Sequence, residues 1–123
     1  MTLWHYTCDH GHAQLGPESS LVPALDIIGP GRDAPWTAQF VWLTDMEKPD
    51  RNALGLTSEI LHCDRTSHRY RVVEDEACIW WPEYASRLHR STRKQIENAD
   101  GARPKHWWVA PGPVRVVYDP VRA

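Results

Sequence analysis

Apolar and polar residues alternate in short runs along most of the chain, and a period of two is the mark of strands with two unlike faces. Residues 2–7, TLWHYT, put Leu3, His5 and Thr7 on one side and Trp4 and Tyr6 on the other, which predicts a first strand. AQFVWLTD, residues 38–45, predicts a second, and HRYRVVED, residues 68–75, a third with basic and apolar residues in alternation. KHWWVA and PVRVVYD, joined by Pro111-Gly112-Pro113, predict two short closing strands. A helical period holds over one long stretch, PEYASRLHRSTRKQIENADG, where Tyr84, Leu88, Ile96 and Ala99 form a thin apolar stripe. Pro82 suits a first turn and Gly101 a stop, so one long helix is expected there. CDHGHAQLG predicts a short turn or helix closed by Gly16, LVPALDII is a short apolar segment, and GPGRDAP and MEKPDRNALGLTSE read as loops. The order is strand, short helix, several strands, long helix, strands. That order predicts an α+β fold: a single small domain over residues 1–123, a mainly antiparallel sheet, one long helix and one or two short ones.

Composition narrows the class. A chain of 123 residues suits one domain, and 41% hydrophobic with 24% charged residues is ordinary for a globular protein. The formal net charge of −2 supplies no global field toward nucleic acid or membranes, so such binding would need a local basic patch. Arg87, Arg90, Arg93 and Lys94 on the expected long helix are one basic stretch. No apolar run approaches the roughly 18 residues of a membrane span, and the N-terminus lacks the pattern of a signal peptide. A cytoplasmic protein without a membrane partner is the expectation. Cys8, Cys63 and Cys78 are an odd set, better read as thiols than as a disulfide framework.

Seven tryptophans against one phenylalanine are unusual, and four of them form the pairs Trp80–Trp81 and Trp107–Trp108. On a strand the two members of a pair point to opposite faces, so one can be core while the other lines a groove.

Three stretches carry candidate chemistry. Cys8, His10 and His12 lie close together, with His62 and Cys63 as conceivable partners. C-x-H-x-H is none of the paired spacings of structural zinc sites, so no metal is expected. LHCDRTSHRYRV, residues 61–72, reads either as a turn before an edge strand, with its arginines on the solvent face, or as an anion site. In the second reading Arg65 and Arg69, beside Thr66, grip phosphate through the guanidinium fork. In PKHWWV, His106 is an acid, base or donor available near neutral pH, or simply a residue exposed on a strand.

These segments together resemble the ADP-ribosyltransferase group that includes DarT-like enzymes and RNA 2′-phosphotransferases. LWHYT is similar to the first strand of that group, which ends in a His-aromatic-Thr signature. LGPESSLVP stands where the group has a turn, and FVWLTD is similar to its next strand. The resemblance implies an NAD- or nucleotide-binding transferase acting on a nucleic acid or nucleotide. It gives His5 contact with the ribose and amide side of NAD, with Thr7 in support, and assigns Trp42 or Thr44 to the cofactor from the second strand. A late-strand Glu stabilises the cationic transition state in the transferases, and in KHWWV the corresponding residue is His106. Glu83 or Glu97 could replace that carboxylate only in a different chain layout. A histidine there fits phosphotransferase-like chemistry or binding alone better than ADP-ribosyl transfer.

The expectation is thus an enzyme with His5, Thr7 and His106 as catalytic residues. Arg65, Arg69, Trp42 and Thr44 would bind NAD or another nucleotide. Its alternatives are a non-catalytic nucleic-acid-binding module, or a small phage-type interaction protein with tryptophan pairs as its interface.

Overall fold

The computed structural model describes residues 1–15, 18–21, 40–50, 52–54, 66–98 and 101–121. Among these residues seven strands build one sheet: β1 (Trp4–Thr7), β2 (Glu18–Leu21), β3 (Val41–Thr44), β4 (His68–Val72), β5 (Ile79–Trp80), β6 (Trp107–Ala110) and β7 (Val114–Tyr118). Their spatial order is β2-β7-β4-β1-β3-β6-β5, and every pairing is antiparallel. The sheet predicted from the alternation is present, with β1, β3, β4, β6 and β7 falling inside the predicted runs. Two strands were not predicted. β2 is built on the polar ESSL, and β5 has only two residues, so neither carries a legible period.

Register decides the two faces, because residues directly opposite in neighbouring strands point the same way. His5 pairs with Tyr70 and Tyr70 with Tyr118, while Thr7 pairs with His68. Trp4 pairs with Thr44, so His5 shares its face with Leu43, which is opposite Trp108. This first face carries the core of Leu3, Leu21, Val41, Leu43, Tyr70, Val72, Ala110, Val114 and Val116. Leu15, just past the short helix α1 (Asp9–Gln14), packs against it. The second face carries Trp42, Trp107 and Val109, covered by the helices α2 (Trp81–Ala85) and α3 (Arg90–Glu97).

The tryptophan pairs divide as alternation requires. Trp107 is buried on the second face, and Trp108 is partly buried on the first. Trp81 is fully buried at the start of α2, whereas Trp80 on the edge strand is exposed.

The long helix expected over 82–101 is two short ones, α2 and α3, separated at Ser86–His89. Local side-chain bonds offer the backbone an alternative to helix at that point. The Ser86 hydroxyl donates to the Glu83 carbonyl, and His89 Nδ1 accepts from the Ser91 amide as an N-cap. Amides of Arg87 and Leu88 bond three residues back, to Tyr84 and Ala85, tightening the exit from α2. The described part of the apolar stripe survives the break, because Tyr84, Leu88 and Ile96 all pack into the second core, while Ala99 lies outside the described residues. Arg87, Arg90 and Lys94 remain exposed. Among the described residues no helix is long and apolar enough to cross a membrane.

Candidate functional site

Side chains from the start, middle and end of the chain gather on the first face. His5, from the centre of β1, hydrogen-bonds through Nδ1 to the Trp42 carbonyl at 2.9 Å. A carbonyl only accepts, so Nδ1 carries the proton and Nε2 is the acceptor of the neutral ring. Thr7, two residues on, lies against α1: a Cβ added at Gly11 would overlap Thr7 Oγ1. That glycine is what lets the helix approach the strand.

His106 was expected within a strand. It ends a 3-10 turn (Pro104–His106), with β6 starting at the next residue. Pro104 opens that turn, and the backbone is held to the end of β3: the Asp45 amide and the Thr44 hydroxyl both donate to the His106 carbonyl, at 3.3 and 2.7 Å. The imidazole Nδ1 meets Asp45 Oδ1 at 2.7 Å, and the other Asp45 oxygen accepts the Trp108 indole N–H at 3.3 Å. The carboxylate is thereby oriented and the ring fixed as donor at Nδ1. The His106 side chain is 42% exposed, and Nε2 has no hydrogen-bond partner among the described residues. Beside it lies a cavity of about 260 Å3 lined by Ala102, Arg103, Pro104, Lys105 and His106. β3 alone separates β1 from β6, and His106 lies two residues before Trp108, which stands across β3 from His5, so the two histidines stand on backbones roughly 12 Å apart.

A second polar cluster occupies the other end of this face. The His12 and His68 rings stack at 3.8 Å with 8° between planes. His68 Nε2 meets Asp9 Oδ1 at 2.6 Å, and its Nδ1 meets the Tyr118 hydroxyl at 3.1 Å. His12 Nδ1 meets the Tyr70 hydroxyl at 2.7 Å. Burial, then the neighbouring Tyr118, pushes the Tyr70 phenol above its ordinary pKa. Tyr70 therefore stays protonated and donates to His12. Among the described residues, no group of three or more His, Cys, Asp or Glu is arranged to hold a metal ion.

The residues expected to bind the cofactor are not brought together. Arg65 lies outside the described residues, as do His62 and Cys63. Arg69 points to the second face and is only 6% exposed, not on a solvent face. Its guanidinium lies 3.8 Å over the Trp4 ring, and its nitrogens donate to the carbonyls of Glu47, Asp119 and Pro120 and to the Asp119 carboxylate. This pins the C-terminal segment to the sheet and leaves no fork for phosphate. Trp42 also points to the second face, 5.0 Å from Trp81 and 6.0 Å from Trp107 between ring centroids. Thr44 is buried, and its hydroxyl, which also accepts from the Met46 amide, anchors the His106 backbone. Two catalytic candidates, His5 and Thr7, therefore share a face with the third, while three cofactor candidates serve the other face and its packing.

The sequence reading missed Asp45, Asp9, Tyr70 and Tyr118. Asp45 ends the FVWLTD run, but 61 residues separate it from the ring it holds. Comparison of the chain with models of known protein families, with curated proteins and with solved structures gives no match. The class that can be stated is therefore architectural: an antiparallel seven-stranded sheet with short helices, carrying histidine–carboxylate pairs on one face.

Proposed function

We propose that the protein is an NAD- or nucleotide-binding enzyme of ADP-ribosyltransferase type, acting on a nucleic acid or nucleotide. The observation that supports this most is that His5 stands on the face to which the Asp45–His106 pair is tied through the Asp45–Trp108 hydrogen bond, with Thr7 on the same face at its other end. His5 presents a ring whose tautomer is fixed by the Trp42 carbonyl, suited to a ribose hydroxyl. Asp45 supplies the negative charge that a histidine at the late-strand position lacks, and the paired imidazole keeps Nε2 toward solvent as a base. The bond that breaks joins ribose C1′ to the nicotinamide nitrogen, which keeps the electron pair. The bond that forms joins C1′ to an acceptor oxygen, whose proton passes to His106 Nε2. Arg65 remains the residue assigned to phosphate.

Titration with millimolar NAD tests the reading. The expected result is a saturable change in tryptophan fluorescence. At ten times the dissociation constant, binding adds about 1.4 kcal/mol, a rise of roughly 4 °C in Tm. His5→Ala removes both responses while leaving the fold intact. Fluorescence and Tm that do not change at millimolar NAD overturn the proposal.

A further inference from the structure

The cluster on β1's other flank goes beyond that reading, since it contains a complete proton path ending on a phenol. Asp9 sits at the start of α1, His68 at the start of β4 and Tyr118 at the end of β7. A single tautomer satisfies both contacts of the His68 ring. The Asp9 carboxylate can only accept, so Nε2 carries the proton, and Nδ1 then accepts from the Tyr118 hydroxyl. This is the logic of a nucleophile, a base and an orienting carboxylate, with a phenol in the nucleophile's place. Packing fixes the base: His12 stacks on His68 at 3.8 Å and lies 4.6 Å from the Tyr118 ring. Tyr70 braces Tyr118 from the neighbouring strand, 5.2 Å away, while its own hydroxyl donates a hydrogen bond to His12. Tyr70 is fully buried, whereas Tyr118 keeps part of its surface in solvent. The two tyrosines are therefore not equivalent, and only Tyr118 is both accessible and paired with a carboxylate-bound imidazole.

We infer that Tyr118 is a nucleophile activated by His68 and positioned by Asp9, and that it reacts with a neutral acyl carbonyl. The class of electrophile follows from local charge. Among the described residues the cations of β4, Arg69 and Arg71, bond to Asp119 and belong to the second face, and the charged partner that contacts His68 is the Asp9 carboxylate, which disfavours an anionic substrate. In the step, the Tyr118 oxygen bonds to the carbonyl carbon and its proton moves to His68 Nδ1. The ester C–O bond breaks, and the leaving oxygen takes the electron pair and then that proton. The products are an acyl-tyrosine and an alcohol, with no oxidant or further reactant.

The full chain treated with p-nitrophenyl acetate tests this. The account predicts one nitrophenolate released per chain in a rapid phase, with acetyl mapped by peptide mass spectrometry to Tyr118 and slower labelling at Tyr84. Tyr118→Phe abolishes the rapid phase. His68→Gln slows it about 100-fold, the scale of one general base. Asp9 is 85% exposed, so Asp9→Asn folds as the parent does; it slows the phase about tenfold, and Asp9→Glu restores it. A Tyr118 acetylated no faster than Tyr84, or at a rate unaffected by Asp9→Asn, overturns the inference.

Discussion

Arg69 and Arg71 occupy alternate positions of one strand and share a face, yet one is buried and the other exposed. Both bond to Asp119, but Arg69 also has the Trp4 ring beneath it and three carbonyls around it. Such partners offset the hydration that a guanidinium loses on burial. The alternation put both arginines on one face, as they are, but read that face as solvent, where Arg69 is buried. What it could not give was which face the chain's own end would cover. Tyr6 belongs to the same neighbourhood, donating its hydroxyl to the Met46 carbonyl at 2.9 Å. Burial pushes its phenol up to about 12, against the opposing pull of Arg69. The folded state thus holds this proton more tightly than the unfolded chain, whose tyrosine has the ordinary value of 10.0. The stabilisation is complete below pH 10 and is lost as pH climbs through the folded value. At about 1.4 kcal/mol per pH unit, this amounts to roughly 2–3 kcal/mol. Urea midpoints taken at pH 9 and pH 12 should fall steeply in the parent and less so in Tyr6→Phe. Equal slopes would show that the phenol does not carry the effect.

Helix α1 shows how an element is placed by one small residue. It has only six residues, too few to stand alone, and draws its position from Thr7 below it and from the Tyr70 and His68 side chains. In an exposed helix, Gly→Ala raises stability by up to about 1 kcal/mol. At Gly11 the added methyl overlaps Thr7 Oγ1, and overpacking costs about 1–3 kcal/mol. Gly11→Ala should therefore lower the urea-derived stability by about 1–2 kcal/mol, and a more stable variant would contradict the close approach of α1 to β1. The sequence predicts a short turn or helix over CDHGHAQLG, closed by Gly16; the helix is present, and Gly16 lies outside the described residues. It also announced a longer one over 82–101, where the apolar stripe persisted across a break made by Ser86 and His89. Hydrophobic period reports which residues face the core and does not register capping bonds between neighbours. The polar β2 and the two-residue β5 were hidden for a related reason: ESSL has one apolar residue in four and β5 has two residues, so neither shows alternation.

Across the whole molecule, the informative contacts join positions about 60 apart in sequence: Asp45 with His106 and Asp9 with His68. Strand period was legible, but the register between distant strands was not, and a one-residue slip would exchange every face. His5, Thr7 and His106 could be named from their residue types and from a resemblance. That Asp45 would meet His106, or that Trp42, Thr44 and Arg69 would turn to the other face, depends on pairings the sequence does not spell out. The proposed function depends on those pairings, because it assigns ligand binding to one face of a two-faced sheet. Backbone amide spectra of the 15N-labelled protein, recorded with increasing NAD, test this most directly. The account predicts saturable shifts at His5, Thr7, Asp45 and His106, with Trp81, Ala85 and Glu97 beneath the opposite face unmoved. Shifts confined to α2 and α3, or none at millimolar NAD, would contradict it.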